Sequence, residues 1–195
     1  MIKNQNMRDN LFNPISRILT KLKITANLLS NFKIIIFLPC LFLLSKNPKL
    51  AFLFLLVSLI TDMLDGPLAR YQKKQSDKGK FVDTFGDYII YLLVILSLIY
   101  FNLFNSNILV YHLFVFPLIA ILSTIKNQEF TKTDWIIKPA PLLGHFNALV
   151  YISLFSFFFF GINYVDLILL ILNIYFSFLL IYYFVFIQLR WLKKK

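Results

Sequence analysis

Five of the nine acidic residues in this 195-residue chain fall between positions 62 and 87, in the stretch DMLDGPLARYQKKQSDKGKFVDTFGD. Their spacing is helical. Asp62, Asp65, Gly66, Ala69 and Arg70 recur three or four residues apart and share one helix face over two turns. Gly79, Asp83 and Asp87 repeat every fourth residue and share another. Between the two runs lies YQKKQSDK, which reads as a short polar turn. The end of one helix then faces the start of the next, and four carboxylates converge between them. Asp77 falls off this register and reads as a solvated turn charge.

Four carboxylates in one place repel one another. They can share protons, as in a transporter's relay, or they can hold cations. An all-oxygen set with no His or Cys nearby favours hard ions, Mg²⁺ or Mn²⁺. Two such ions about 4 Å apart form a clamp suited to phosphate chemistry. The rest of the face fits a phosphate ligand: Gly66 and Ala69 leave room beside the carboxylates, and Arg70 offers a planar fork to a phosphate oxygen. Pro67 lies inside the first helix, where it frees the carbonyl of Met63 and predicts a local kink.

The elements that position these residues are membrane helices. The chain is 59% hydrophobic and 18% aromatic, with a mean hydropathy of +0.74. A soluble domain of this length has no core large enough for that much apolar surface. Six apolar segments, at about 28–45, 50–70, 81–104, 108–125, 142–160 and 163–187, each approach the roughly 20 residues a helix needs to span a bilayer. No period-two alternation competes, so the expected class is an all-α integral membrane protein of six transmembrane helices. Eighteen of the twenty basic residues fall on one side of this arrangement, leaving only Lys46 and Lys49 opposite. That bias puts both termini in the cytoplasm and accounts for the net charge of +11 without nucleic acid. Ahead of the first span, Leu11, Phe12, Ile15, Ile18, Leu19 and Leu22 form an apolar stripe opposite Asn13, Ser16, Arg17, Thr20 and Lys21. This predicts an amphipathic interfacial helix capped at Asn13 and starting at Pro14. The expected organisation is a cytoplasmic segment over 1–27, a six-helix catalytic domain over 28–190 and a basic tail over 191–195. Cys40, the sole cysteine, reads as a core residue of the first span.

The pattern Asp62-x-x-Asp65-Gly66-x-x-Ala69-Arg70, eight residues, Gly79, three residues, Asp83, three residues, Asp87 resembles the signature of the CDP-alcohol phosphotransferases at every fixed position. The spans, cytosolic termini and N-terminal interfacial helix are also similar to that family. ITANLLSNFK resembles the family's Thr-Pro-Asn start, with Ala26 in place of the proline and Lys33 where an arginine is common. The resemblance implies a membrane enzyme of phospholipid synthesis, and the richness in Lys, Asn, Ile and Phe points to a microbial source. It would move a phosphatidyl group from a CDP-alcohol such as CDP-diacylglycerol to an acceptor hydroxyl, releasing CMP. By position, Asp62, Asp65, Asp83 and Asp87 would hold two Mg²⁺ or Mn²⁺ ions, and Asp87 would also take the proton of the attacking hydroxyl. Gly66, Ala69, Arg70 and Gly79 would hold the cytidine diphosphate. A homodimer is usual in the family.

The acceptor is less directly written. Thr84 and Tyr88 stand where phosphatidylglycerophosphate synthases often carry Pro and Lys, which counts against glycerol 3-phosphate. Lys126, Lys132 and Lys138 precede the fifth span and are candidates for meeting an anionic polyol phosphate, although a positive-inside loop would carry them too. His145 and Asn147 lie at the entrance of that span; His112 is remote from the motif. Two other readings are an ion- or proton-coupled transporter and an inactive scaffold of the same fold. A relay needs charges near the midplane on several spans, whereas these gather at one end of two. A scaffold would be expected to lack a motif residue, and none is missing.

Overall fold

The structure, a computed structural model, describes residues 2–74, 77–130 and 139–193, with side chains over 11–74, at 83, over 85–123 and over 146–189. Seven helices follow one another: α1 (Ile2–Lys21), α2 (Ala26–Leu43), α3 (Pro48–Tyr71), α4 (Asp77–Tyr100), α5 (Ser106–Phe130), α6 (Pro139–Phe160) and α7 (Val165–Lys193). No strand occurs among the described residues. Each of the six apolar segments holds one helix, and the boundaries follow local chemistry. Thr25 caps α2 by accepting the Leu28 N–H at 3.3 Å. Asn47 caps α3 through Leu50 N–H at 3.1 Å, with Pro48 in the first turn, where its missing N–H costs nothing. Asp77, expected in the turn, is the first residue of α4.

One expectation is corrected. Helix α1 begins at Ile2, so Asn13 does not cap it and Pro14 lies inside. Lys3, Gln5, Met7, Arg8 and Leu11 are good helix formers, and they carry the helix back past the Asn-Pro pair. Among the described residues, four helical stretches are long and apolar enough to cross a bilayer: Ala26–Leu43, Pro48–Tyr71, Ser106–Ser123 and Val165–Leu189. Within the described residues, α4 and α6 contribute the further apolar stretches Phe85–Tyr100 and Phe146–Phe160.

The chain forms two compact units, Met1–Val94 and Ile95–Lys195. In the first, α2 packs along α3 through Phe37, Ala51, Phe52 and Leu55, all almost fully buried. Helix α1 lies against α3 with Ser16 buried, while Leu11, Ile15, Ile18 and Leu22 point outward. Gln72 ties this corner together, donating to Ile24 O at 2.7 Å and Thr20 Oγ1 at 3.3 Å.

In the second unit α5 packs on α7 around a buried polar pair. His112 Nδ1 lies 2.6 Å from Asn173 Oδ1, and Asn173 Nδ2 donates to Ile108 O at 3.0 Å. Phe116 and Phe176 flank the imidazole. The pair explains two polar residues on otherwise apolar helices as an interhelical clasp. Asn173→Leu is expected to lower stability by about 1–2 kcal/mol, read as a lower melting temperature in detergent. The same change made in a His112→Leu background should cost less; equal costs in the two backgrounds would mean the residues are not coupled.

Candidate active site

Helices α2, α3 and α4 each contribute to one cluster. Asp62 on α3 and Asp83 and Asp87 on α4 bring one carboxylate oxygen each to within 4.8 Å of the others. The helical repeat puts Asp83 and Asp87 one turn apart on the same face, as the spacing required. Into this trio α2 inserts Lys33. Its Nζ donates to Asp62 Oδ1 at 2.6 Å, Asp83 Oδ1 at 2.7 Å and Asp87 Oδ1 at 2.5 Å. The Asp83 carbonyl oxygen lies at 3.3 Å. An ammonium has three protons, and here each has a carboxylate to receive it.

The surroundings hold the lysine in place. Its side chain is 1% exposed. Ser58 Oγ donates to the Lys33 carbonyl at 2.8 Å, fixing the level of α2 against α3. Gly86 gives the stem its path, because a Cβ at that position would stand 3.1 Å from Lys33 Cε. Within the trio, exposure rises from 29% at Asp62 to 35% at Asp83 and 41% at Asp87, so Asp87 is the most open carboxylate.

Asp65, one turn beyond Asp62 on α3, behaves differently. It is buried, and its Oδ2 accepts from Ser30 Oγ on α2 at 2.8 Å. Of the four sequence-predicted carboxylates, three therefore surround the ammonium and the fourth is held beside them by a hydroxyl. Arg70 folds back along α3 over Gly66, where a Cβ would lie 3.5 Å from its guanidinium. Gly66, Ala69 and Arg70 thus lie on the helix that carries Asp62 and Asp65. Gly79 is on α4, with surroundings outside the described residues. The side chains of Lys126 and His145, and all of Lys132 and Lys138, also lie outside them. Asn147 sits on α6 with a buried Oδ1 that has no hydrogen-bond partner there. His112 belongs to the α5–α7 clasp.

Lys33, Ser30, Ser58 and Gly86 were not among the predicted site residues. In the sequence Lys33 reads as one of the topology charges, at a position where an arginine is common. Its signal was available: a cation two turns into an apolar span needs a partner.

The donor set suits a hard divalent cation. It consists of carboxylate oxygens alone, gathered closely enough to share one ion. A cation, the ammonium, already occupies their centre, and one positive charge leaves three carboxylates undercompensated.

A family model for the CDP-alcohol phosphatidyltransferases matches residues 23–187. The chain belongs to the CDP-alcohol phosphatidyltransferase family. The matched region covers α2 to α6 and most of α7, and so includes the whole cluster. Two solved structures of the phosphatidylinositol phosphate synthase PgsA1 from Mycobacterium tuberculosis share the fold. One, in complex with manganese and citrate, superposes with a TM-score of 0.70 at 16% identity, covering 89% of this chain and 87% of that one. The other, with CDP-DAG bound, gives 0.71 at 15%, covering 90% and 92%. No curated protein matches by sequence. Membership makes this phosphatidyltransferase a membrane-embedded transferase of phospholipid biosynthesis, in keeping with its four long apolar helices.

Proposed function

We propose that the chain transfers a phosphatidyl group from CDP-diacylglycerol to the hydroxyl of a polyol or polyol phosphate, with release of CMP. The observation that carries this reading is the meeting of Asp62, Asp83 and Asp87 oxygens within 4.8 Å of one another, in a chain of this family. Asp62, Asp65, Asp83 and Asp87 would hold two Mg²⁺ or Mn²⁺ ions. Bound there, the ions would supply charge neutralisation on the diphosphate and polarise the attacked phosphorus.

The chain's own residues account for the remaining work. Arg70 gives a fork to a phosphate oxygen of the nucleotide. Gly66 and Ala69 leave space beside it, and Gly79 on α4 does the same from the facing helix. Asp87, the most exposed of the trio, takes the proton from the acceptor hydroxyl. The acceptor oxygen forms a bond to the lipid-linked phosphorus, the bond from that phosphorus to the CMP oxygen breaks, and CMP leaves. Lys126, Lys132 and Lys138 attract an anionic acceptor.

In the same reading, six helices span the membrane with both termini cytoplasmic. Helix α1 lies in the interface with Leu11, Ile15, Ile18 and Leu22 towards lipid, which their outward orientation supports. The enzyme works as a homodimer, as family resemblance implies.

The test is CMP release by the purified chain in lipid with CDP-diacylglycerol and glycerol 3-phosphate, inositol, inositol phosphate or serine. Release that requires Mg²⁺ or Mn²⁺ and one acceptor is expected. Release that persists in chelator would remove the metal from the reaction. No release with any acceptor would remove CDP-diacylglycerol, or this acceptor class, from the proposal.

A further inference from the structure

We infer that Lys33 is a built-in counter-cation. Its ammonium occupies the carboxylate centre in the metal-free protein and gives that place up when a divalent ion binds. The inference rests on the metal-binding reading above.

Three features carry it. First, the ammonium contacts the same three carboxylates whose oxygens gather within 4.8 Å, at 2.5 to 2.7 Å from each. Any cation shared by those oxygens would need the place the Nζ holds. Second, the position is built rather than incidental. The side chain is 1% exposed, its stem runs over Gly86, and its carbonyl is fixed by Ser58. A lysine merely snorkelling from a span would send its charge to water instead. Third, three clustered carboxylates without a cation would repel one another and pull α3 and α4 apart. Lys33 neutralises part of that charge while drawing both helices to α2. It cannot neutralise all of it, so a divalent ion remains the stronger partner for the site.

Linkage then fixes the sign of an experiment. If Lys33 stabilises the metal-free state more than the metal-bound state, removing its charge must tighten metal binding by the same factor. A residue that only shaped the site would do the opposite, because its loss would loosen the ligands and weaken binding.

Mn²⁺ binding to the full chain in detergent would be followed by the loss of the free-ion electron paramagnetic resonance signal. The wild type would be compared with Lys33→Met and Lys33→Gln, with thermal unfolding measured in chelator and in saturating Mn²⁺. Both variants are expected to bind Mn²⁺ about tenfold more tightly than the wild type. They should melt lower in chelator and recover most of that loss in Mn²⁺. Unchanged or weaker binding in folded variants overturns the inference and leaves the metal reading standing. Absence of Mn²⁺ binding to both wild type and variants overturns both. Should neither variant fold, crystal structures of the wild type in chelator and in Mn²⁺ decide the matter. The Nζ is expected to leave the centre in Mn²⁺, more than about 4 Å from the oxygens it held. An ammonium still bonded to all three carboxylates beside a bound ion overturns the inference.

Discussion

Asp87→Asn is expected to cut CMP release by at least about a thousandfold, since in the proposed mechanism the change removes a proton acceptor and a metal-binding charge together. The substitution keeps the size of the side chain and one oxygen, so the Lys33 ammonium retains an acceptor at this position. The variant should therefore elute and melt like the parent chain, which separates lost chemistry from lost fold. The geometry singles out Asp87 because its side chain is 41% exposed, against 29% for Asp62. On the proposed reading, an acceptor hydroxyl arriving from outside the cluster would meet it first. Turnover near the parental rate in folded Asp87→Asn would exclude Asp87 as the base and shift attention to Asp83.

Gly86→Val should produce the second large effect. A methyl carbon at position 86 would already stand 3.1 Å from Lys33 Cε, and valine adds two further carbons. The lysine cannot swing aside freely, because its ammonium is held by Asp62, Asp83 and Asp87. Replacing a helical glycine gains at most about 1 kcal/mol of helix propensity. Overpacking a closed contact costs about 1–3 kcal/mol. The steric term is expected to win, lowering the melting temperature in chelator. A variant that melts like the parent chain in chelator would show that the stem of Lys33 does not depend on the space at residue 86.

Much of this site was legible because helical spacing is a rigid constraint. Once residues 62–70 and 79–87 are read as helices, Asp62, Asp83 and Asp87 can share only one side of each. The apolar segments located the six helices for a similar reason, since long hydrocarbon stretches in lipid have few alternatives to the helix. What the sequence did not reveal depends on contacts between helices. Nothing local to Lys33 says which carboxylates it will meet, as Asp62 lies 29 residues on and Asp87 lies 54. Gly86 carried a fainter signal. A glycine inside a helix is unfavourable by about 0.5–1 kcal/mol relative to alanine, so its presence pointed to a close approach without naming the neighbour. Ser30 and Ser58 look like ordinary small residues of membrane helices until their partners are known. The early start of α1 was missed because an Asn-Pro pair is a strong start signal in isolation, yet the helix tolerates Pro14 in its interior.

The bond between Lys33 and Asp62 also bears on how the chain enters a membrane. Helix α2 carries Lys33, and helix α3 carries Asp62 and Asp65, within largely apolar sequence, and only Leu44, Ser45, Lys46 and Asn47 separate the two helices. Lodged alone at the centre of a bilayer, an Asp or a Lys disfavours insertion by about 2.5–3.5 kcal/mol, and by less nearer the helix end. Side by side, the two charges satisfy each other at 2.6 Å. The helical hairpin is thus easier to deliver to the membrane than either of its arms, and the lysine at the centre of the carboxylate cluster also eases the biogenesis of the protein.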